Sequence, residues 1–534
     1  MTASSYTSAV TPGRDGFGSV LRAEWTKFRT VRGWLIAALA VAALTAVGPI
    51  WLAGTATSST EFCAGSQCSV EGETLATGPG GTAVTDQFTF VHEPIAASGS
   101  ITVHVSSFHG SSVPSLPPGV HPAPRTQPWA KAGIIIKAST TPGSAYAAVM
   151  LTGRHGVRMQ YNYTHDIAGN EVAPAPAASQ WLRLTRSGDT ITSYDSANAR
   201  QWTKVGTAVL ADLPPTAQAG MFVTSPAFSE PIGTGDDTAG GQTRATATFS
   251  HLSLRGGVAG YSWTDTRVGA AASGPEHVFP GGKIRRRSAL SGPVTQSAGS
   301  FTVTGSGDIA PFEPLVDPVR YAFIGSLFGL ITVIALGTVF VTVEYRRALI
   351  RTTVTASPRR GRILLAKAIV VGAVTFAAAL IGAAIAFPVV EHKLYHQGWT
   401  PPVWPDLAIT SGSGLRIVLG TAAIAAGAAV LGLAAGAAFR RSAAAVTAVI
   451  AGVIVPLILA QLLPLSAAQW LLRITPAAAF SLQASVQRYP QVSYICAPYH
   501  ECYPLAPWTG FAVLVAWAAV ALGGAVCLFR RRDV

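Results

Sequence analysis

Six stretches of the chain are predominantly apolar for about 20 residues each: 33–54, 321–343, 368–390, 417–439, 443–466 and 507–529. At about 1.5 Å of rise per residue, each is long enough to cross a hydrocarbon core about 30 Å thick. None contains Asp, Glu, Lys or Arg. A buried helix of a large soluble protein can look like this once; six such runs predict six transmembrane helices. Between the first and second runs the pattern changes. Short segments at 87–92, 100–107, 132–139, 145–151, 157–163, 181–186, 190–195, 219–224 and 246–254 are strand-like, several alternating apolar and polar as half-buried strands do. Ser187-Gly188-Asp189 is a hairpin turn between two of them. Many short strands without helical periodicity predict an all-β sandwich. The expected fold is a polytopic α-helical membrane protein with this sandwich inserted between helices one and two.

The flanking segments are read in the same way. Residues 1–16 are rich in Ser, Thr, Gly and Pro and predict disorder. Over 17–32, Leu21, Trp25 and Phe28 recur at helical spacing beside Glu24, while Arg22, Lys27, Arg29 and Arg32 take other faces. Such a helix is expected to lie on the inner membrane surface, its apolar stripe at the acyl boundary. The plainer reading is the positive flank of a membrane anchor. The sandwich is assigned to 55–255 and a Gly/Ser/Pro-rich stalk to 256–316, with one further strand at 301–307. Gly432 and Gly436 form a small-xxx-small pair suited to close helix packing, and Pro456 is expected to kink the fifth span.

Charge supplies the orientation. Hydrophobic residues make up 49% of the chain and charged ones 12%, about half the usual soluble fraction. The net charge of +13 gathers at the ends of apolar runs, so it is read as topology, with no nucleic-acid partner. Arg22, Lys27, Arg29 and Arg32 precede span one, and the 344–367 loop holds Arg346, Arg347, Arg351, Arg359, Arg360, Arg362 and Lys367. Arg440 and Arg441 separate spans four and five, and Arg530, Arg531 and Arg532 lie in the 530–534 tail. The other short loops are poor in such charges, with Lys393 in the loop after span three, and Arg473 and Arg488 in the 467–506 loop. Both termini are therefore expected in the cytoplasm and the sandwich outside. The cysteines agree: Cys63 with Cys68, and Cys496 with Cys502, are close pairs on the oxidising face and read as local disulfides. Cys527 stands alone in span six. The first apolar run is longer than a signal-peptide core and follows a 32-residue leader, so an uncleaved anchor is expected.

The segment from Glu344-Tyr345-Arg346-Arg347 to Pro358-Arg359-Arg360-Gly361-Arg362 is the most informative. It can form a brief helix across the membrane surface, placed for a cytoplasmic partner to grip, although lipid-facing basic loops are common too. With Arg351, Thr352 and Thr353, it resembles the permease subunits of the type-2 ABC exporter family from high-GC bacteria. The stretch from Leu21 through Glu24, Trp25, Lys27, Phe28 and Arg29 is similar to that family's amino-terminal motif. The resemblance implies a coupling helix in the first segment, a connecting helix in the second, and residence in a bacterial plasma membrane. It also implies a separate ABC ATPase in two copies, carrying ATP and Mg, and a second permease copy or paralogue, with the lipid membrane as a further partner. No cofactor is expected in this chain. The nearest approach to a P-loop, Gly281-Gly282-Lys283, has His277 where the first Gly belongs and Ile284 after the Lys. Spans bare of ionisable groups suit an apolar or amphiphilic cargo moved by work done from the cytoplasm.

The outer segment resembles the concanavalin A-like jelly-roll family, on 181–189, 202–206, 220–225 and 301–308. That likeness implies a sandwich and admits a second reading, a membrane-tethered glycan-binding or sensing protein. Tyr146, Tyr161, Trp181, Tyr194 and Trp202 are the candidate sugar-stacking rings, though such rings are commonly core or rim residues. The scattered carboxylates Asp86, Glu93, Asp166, Asp195 and Asp237 form no glycosidase pattern, so the chain is read as a transporter subunit and not an enzyme. Asp236-Asp237 lacks EF-hand spacing, and the dispersed histidines propose no metal site.

Overall fold

The computed structural model describes residues 16–56, 62–64, 67–69, 75–111, 126–175, 179–231, 238–269, 294–297, 299–314, 316–347, 360–493, 496 and 502–531. A β-sandwich and a bundle of long apolar helices make up the molecule. The helices are α1 (Phe17–Thr30), α2 (Arg32–Ala53), α3 (Pro318–Ile324), α4 (Leu327–Arg346), α5 (Arg360–His396), α6 (Gly412–Phe439), α7 (Ser442–Val453), α8 (Val455–Leu459), α9 (Leu465–Ile474) and α10 (Pro507–Arg531). A 3-10 helix, Pro476–Gln483, follows α9. Among the described residues six helical stretches are long and apolar enough to cross a membrane: Arg32–Ala53, Pro318–Arg346, Gly361–His396, Gly412–Phe439, Ser442–Leu459 and Pro507–Arg531.

Small residues set the helix spacing. A Cβ on Gly432 would stand 2.8 Å from the Ile334 carbonyl oxygen, and one on Gly436 2.9 Å from that of Thr338. The Thr338 hydroxyl donates to the Gly432 carbonyl at 3.1 Å, so α4 and α6 meet backbone to backbone. Gly48 and Gly325 meet in the same way. Pro456 does more than kink its helix. Residue Ile454 separates α7 from α8, and Pro456 occupies the first turn of α8, where a missing N–H costs nothing.

The sandwich is built around one long strand, Phe88–Ser111, where sequence patterning suggested two. Its first part pairs with Ala217–Thr224 and Thr264–Val268, its later part with Gln180–Ser187 and Arg244–Gly257. Glu93 to Gly99 bridge the two parts, and Gly99 lies where a side chain would strike the Arg255 carbonyl. The strand Lys131–Lys137 is buried on both faces. Ala132, Ile134 and Ile136 enter a core with Val103, Leu182, Met221 and Phe249. Ile135 enters a second core with Phe90, Tyr146 and Phe222. A three-stranded sheet (Ala76–Thr77, Ala83–Asp86, Ile309–Pro311) contributes Val84 and Ile309 to this second core.

The expected stalk is corrected where it is described. Ser300–Gly305 pairs with Arg244–Gly257, and Ile309–Pro311 pairs with Ala83–Asp86. Phe301 and Val303 point inward, so alternation outweighs a Gly/Ser-rich composition. The segment containing Gly281-Gly282-Lys283 lies outside the described residues, as do 1–15 and Asp236-Asp237.

Candidate functional site

The expected amphipathic helix forms, but its buried face differs from the stripe read in sequence. Leu21, Glu24 and Phe28 recur at i, i+3 and i+7 and share a face. Glu24 and Phe28 are buried, while Trp25 is 45% exposed. Phe28 packs on Trp34 and Phe340, with ring centroids 6.4 and 5.9 Å away. Thus α1 is docked on protein by a face that carries a carboxylate. Lys27 and Arg29 sit in its last turn, where cations complement the helix dipole.

That carboxylate belongs to a four-membered ion cluster. The ammonium of Lys367, on α5, donates to Glu24 Oε2 at 2.8 Å and to Glu344 Oε1, near the end of α4, at 2.6 Å. Lys27 reaches the same two carboxylates at 2.9 and 3.3 Å. The Lys367 side chain is 1% exposed and that of Lys27 44%, so the cluster is sealed on one side and open on the other. The Phe340 ring lies 5.0 Å from the Lys367 ammonium and adds a cation–π contact. Two carboxylates and two ammoniums balance formally, which makes burial tolerable, yet Glu344 Oε2 is buried without a hydrogen-bond partner among the described residues.

Around this cluster the structure gathers several residues singled out by sequence. Tyr345 stacks edge-on with Phe529 of α10 at 6.4 Å, and the Arg440 guanidinium lies 5.3 Å from the Tyr345 ring. Arg346 and Arg347 are exposed. Arg360 opens α5; a Cβ on Gly361 would lie 3.2 Å from the Arg530 guanidinium, and Arg362 is half-buried. The ends of α4, α6 and α10, the start of α5, and α1 therefore converge at one end of the bundle. Arg351, Thr352, Thr353, Pro358 and Arg359 lie outside the described residues.

Lys367 was missed as a site residue. It closes a run of basic residues that reads as an ordinary loop flank, and the apolar run starts one residue later. In the structure α5 starts at Arg360, which places Lys367 two turns inside a helix. The charge-free reading of the spans therefore applies to their middles and not to their ends, because α5 also contains Glu391 and Lys393, and α6 contains Arg416.

The sandwich holds buried ion pairs of its own. Lys131 donates to Asp308 at 2.7 Å and to the Ile309 carbonyl at 2.6 Å. Lys137 donates to Asp86 at 2.8 Å, and Asp86 also accepts from Tyr163 and from the Gly143 N–H, both at 2.8 Å. Burial lowers the Lys137 ammonium below its ordinary value, against the pull of Asp86, and raises Tyr163.

The candidate sugar-stacking rings fall in different settings. Tyr146 is 1% exposed and lies in the second core, so it is removed from that role. Tyr161 stacks on His165 at 4.2 Å, Trp181 on His104 at 4.8 Å, and the Arg183 guanidinium covers Trp202 at 3.8 Å. Tyr194 is half-buried, opposite Arg183 in the sheet register. The Cys496–Cys502 disulfide is formed. Cys63 and Cys68 fall opposite one another in a short antiparallel pair; their side chains lie outside the described residues.

No family model matches the chain. No curated protein matches it. Among solved structures it is similar to the GH43 BlXynB protein from Bacillus licheniformis, with 16% identity and a TM-score of 0.17, over 27% of this chain and 26% of that one. It is also similar to a functionally unknown protein from Saccharomyces cerevisiae, with 16% identity and a TM-score of 0.19, over 30% of this chain and 71% of that one. A third is SCP-B, a member of the Eqolisin family of peptidases, with 9% identity and a TM-score of 0.22, over 42% and 99%. The chain thus spans about a quarter of the BlXynB length. At such scores these likenesses carry no argument about its chemistry.

Proposed function

We propose that the chain is the membrane-spanning permease subunit of an ATP-driven ABC exporter, resident in a bacterial plasma membrane with the sandwich outside. A separate ATPase, in two copies, binds ATP and Mg and grips the segment between α4 and α5. A second permease copy or paralogue completes the transporter, and the cargo is apolar or amphiphilic. The observation that carries this reading is the ion cluster of Glu24, Lys27, Glu344 and Lys367. It fastens both ends of the gripped segment, and α1, to one another at 2.6–3.3 Å. A push on that segment is then delivered to two long helices and to α1 together, which is what rigid transmission requires.

The chemistry of the bundle supports the cargo class. Two polar side chains buried in the bundle are neutral and bonded to protein: Thr375 bonds the Val371 carbonyl at 2.8 Å, and Gln483 bonds Thr421 at 3.1 Å. Helix middles without ionisable groups offer an ion no ligand and an apolar chain no penalty. Replacing Arg359, Arg360 and Arg362 by Ala is expected to abolish export while leaving the chain inserted in the membrane. Export at the parent rate by that variant would sink the coupling assignment.

A further inference from the structure

At the opposite end of the bundle, a cavity of about 1050 Å³ lies between the base of the sandwich and the helices. Thr82 and Phe312 line it from the sandwich side, Arg320 on α3 and Arg416 on α6 from the bundle, and Trp404 and Tyr503 from the connecting loops. Its charges are unequally committed. The Asp317 carboxylate is consumed by the N–H groups of Arg320, Ser485 and Val486, at 3.0, 2.6 and 3.1 Å, and by the Ser485 hydroxyl at 2.5 Å. Arg488 is held by Glu313 at 3.3 Å and by the Pro314 carbonyl at 3.0 Å. Arg416 differs. One Nη donates to the Ala484 carbonyl at 2.6 Å, and its Nε is buried with no partner among the described residues.

A guanidinium that lines a cavity, with one Nη given to a single carbonyl, is suited to a phosphate or carboxylate oxygen. The Arg320 guanidinium lies flat over the Tyr503 ring, 3.9 Å from its centroid, which fixes a second cation on the same wall. Beside the Asp406 carboxylate, most of the remaining lining is apolar or aromatic: Trp404, Phe312, Leu407 and several prolines. An anion site walled by apolar surface calls for an amphiphile. Ligand pockets commonly measure about 300–1000 Å³, so this one admits a lipid headgroup with the upper part of its chains. It also lies at the ends of the apolar helices, which the membrane residence proposed above puts at the level of the headgroups.

We propose that this cavity binds an anionic phospholipid, with Arg416 contacting the phosphate and Trp404 and Tyr503 flanking the glycerol region. The proposal rests on the membrane residence argued above and not on the ATPase. The full chain, purified in neutral detergent without ATP or partner, is irradiated with phosphatidylglycerol carrying a diazirine near its headgroup, and labelled peptides are identified by mass spectrometry. Label is expected within 401–407, 484–489 and 502–507, displaced by phosphatidylglycerol and not by phosphatidylcholine. It is expected to fall at least about fivefold in Arg416→Gln and to persist in Arg416→Lys, as a charge-assisted contact requires. Displacement by millimolar inorganic phosphate as well as by phosphatidylglycerol would overturn the lipid as source and assign the site to free phosphate. Label confined to other segments, or displaced equally by phosphatidylcholine, would overturn the site. The competition series uses the unmodified chain, so it stands even where Arg416→Gln fails to fold. Failure here would leave the coupling reading untouched.

Discussion

In the sandwich, Lys131 and Lys137 are buried along one strand, each against a single aspartate. In the bundle, Lys367 is buried against two glutamates from different helices, which it shares with the half-exposed Lys27. The sandwich pairs are sealed staples. Asp86 ends one strand of the small sheet that covers the second core and Asp308 immediately precedes another, so each lysine fastens that sheet to the large one. The bundle cluster gathers three chain segments around one ammonium and stays open to solvent on the Lys27 side. A sealed one-to-one pair suits architecture; a shared, half-open cluster suits a joint that a partner can load.

The comparison can be broken at the lysines. Lys367→Met leaves Glu24 and Glu344 facing each other with only Lys27, and is expected to cost about 3–5 kcal/mol. Thermal unfolding in detergent reads this, and the triple variant Glu24→Gln, Glu344→Gln, Lys367→Met is expected to regain most of the loss. A Lys367→Met chain as stable as its parent would show that the cluster holds nothing together. Lys137→Met is expected to cost less, about 1–3 kcal/mol, because Asp86 keeps the Tyr163 hydroxyl and the Gly143 N–H. Its effect should appear as protease sensitivity of the sandwich within the full chain, with bundle melting unmoved.

Two smaller effects sharpen the contrast. Gly432→Leu should force α4 and α6 apart at a cost of about 1–3 kcal/mol, confined to the bundle; unchanged bundle melting would contradict their backbone contact. Acid should weaken the sandwich. Burial holds His92 below its ordinary value, between Gln218 at 2.8 Å and Thr266 at 2.9 Å, and burial together with the nearby His251 does the same to His104. These rings stay neutral in the fold while the unfolded chain takes up protons near pH 6.5. Their contribution is therefore present above about pH 6.5 and is lost as pH falls through the depressed folded values. Proteolysis of the sandwich should quicken between pH 7.5 and 5.5, and less so in His92→Gln; equal acid sensitivity in that variant would reject the assignment.

Apolar length and strand alternation carried much of the architecture in sequence, because both are local periodicities. What sequence concealed was pairing at a distance. Lys131 and Lys137 look like polar ends of an apolar strand until Asp308 and Asp86 arrive from 177 and 51 residues away. Glu24 looks like an exposed charge between Leu21 and Trp25 until α1 turns its Glu24–Phe28 face inward. Lys367 stands 343 residues from Glu24, and no local pattern joins them. The continuous Phe88–Ser111 strand was hidden differently: Glu93 to Gly99 contain Pro94 and Gly99, residues that normally end a strand.

An ATPase mounted on the segment between α4 and α5, as proposed, should travel with the protein. The tagged chain is solubilised gently from its native membrane, and co-purifying proteins are quantified by mass spectrometry. A stoichiometric P-loop ATPase is expected, lost when Arg359, Arg360 and Arg362 are replaced by Ala. Absence of any ATPase, under conditions in which a known ABC complex survives, would contradict it.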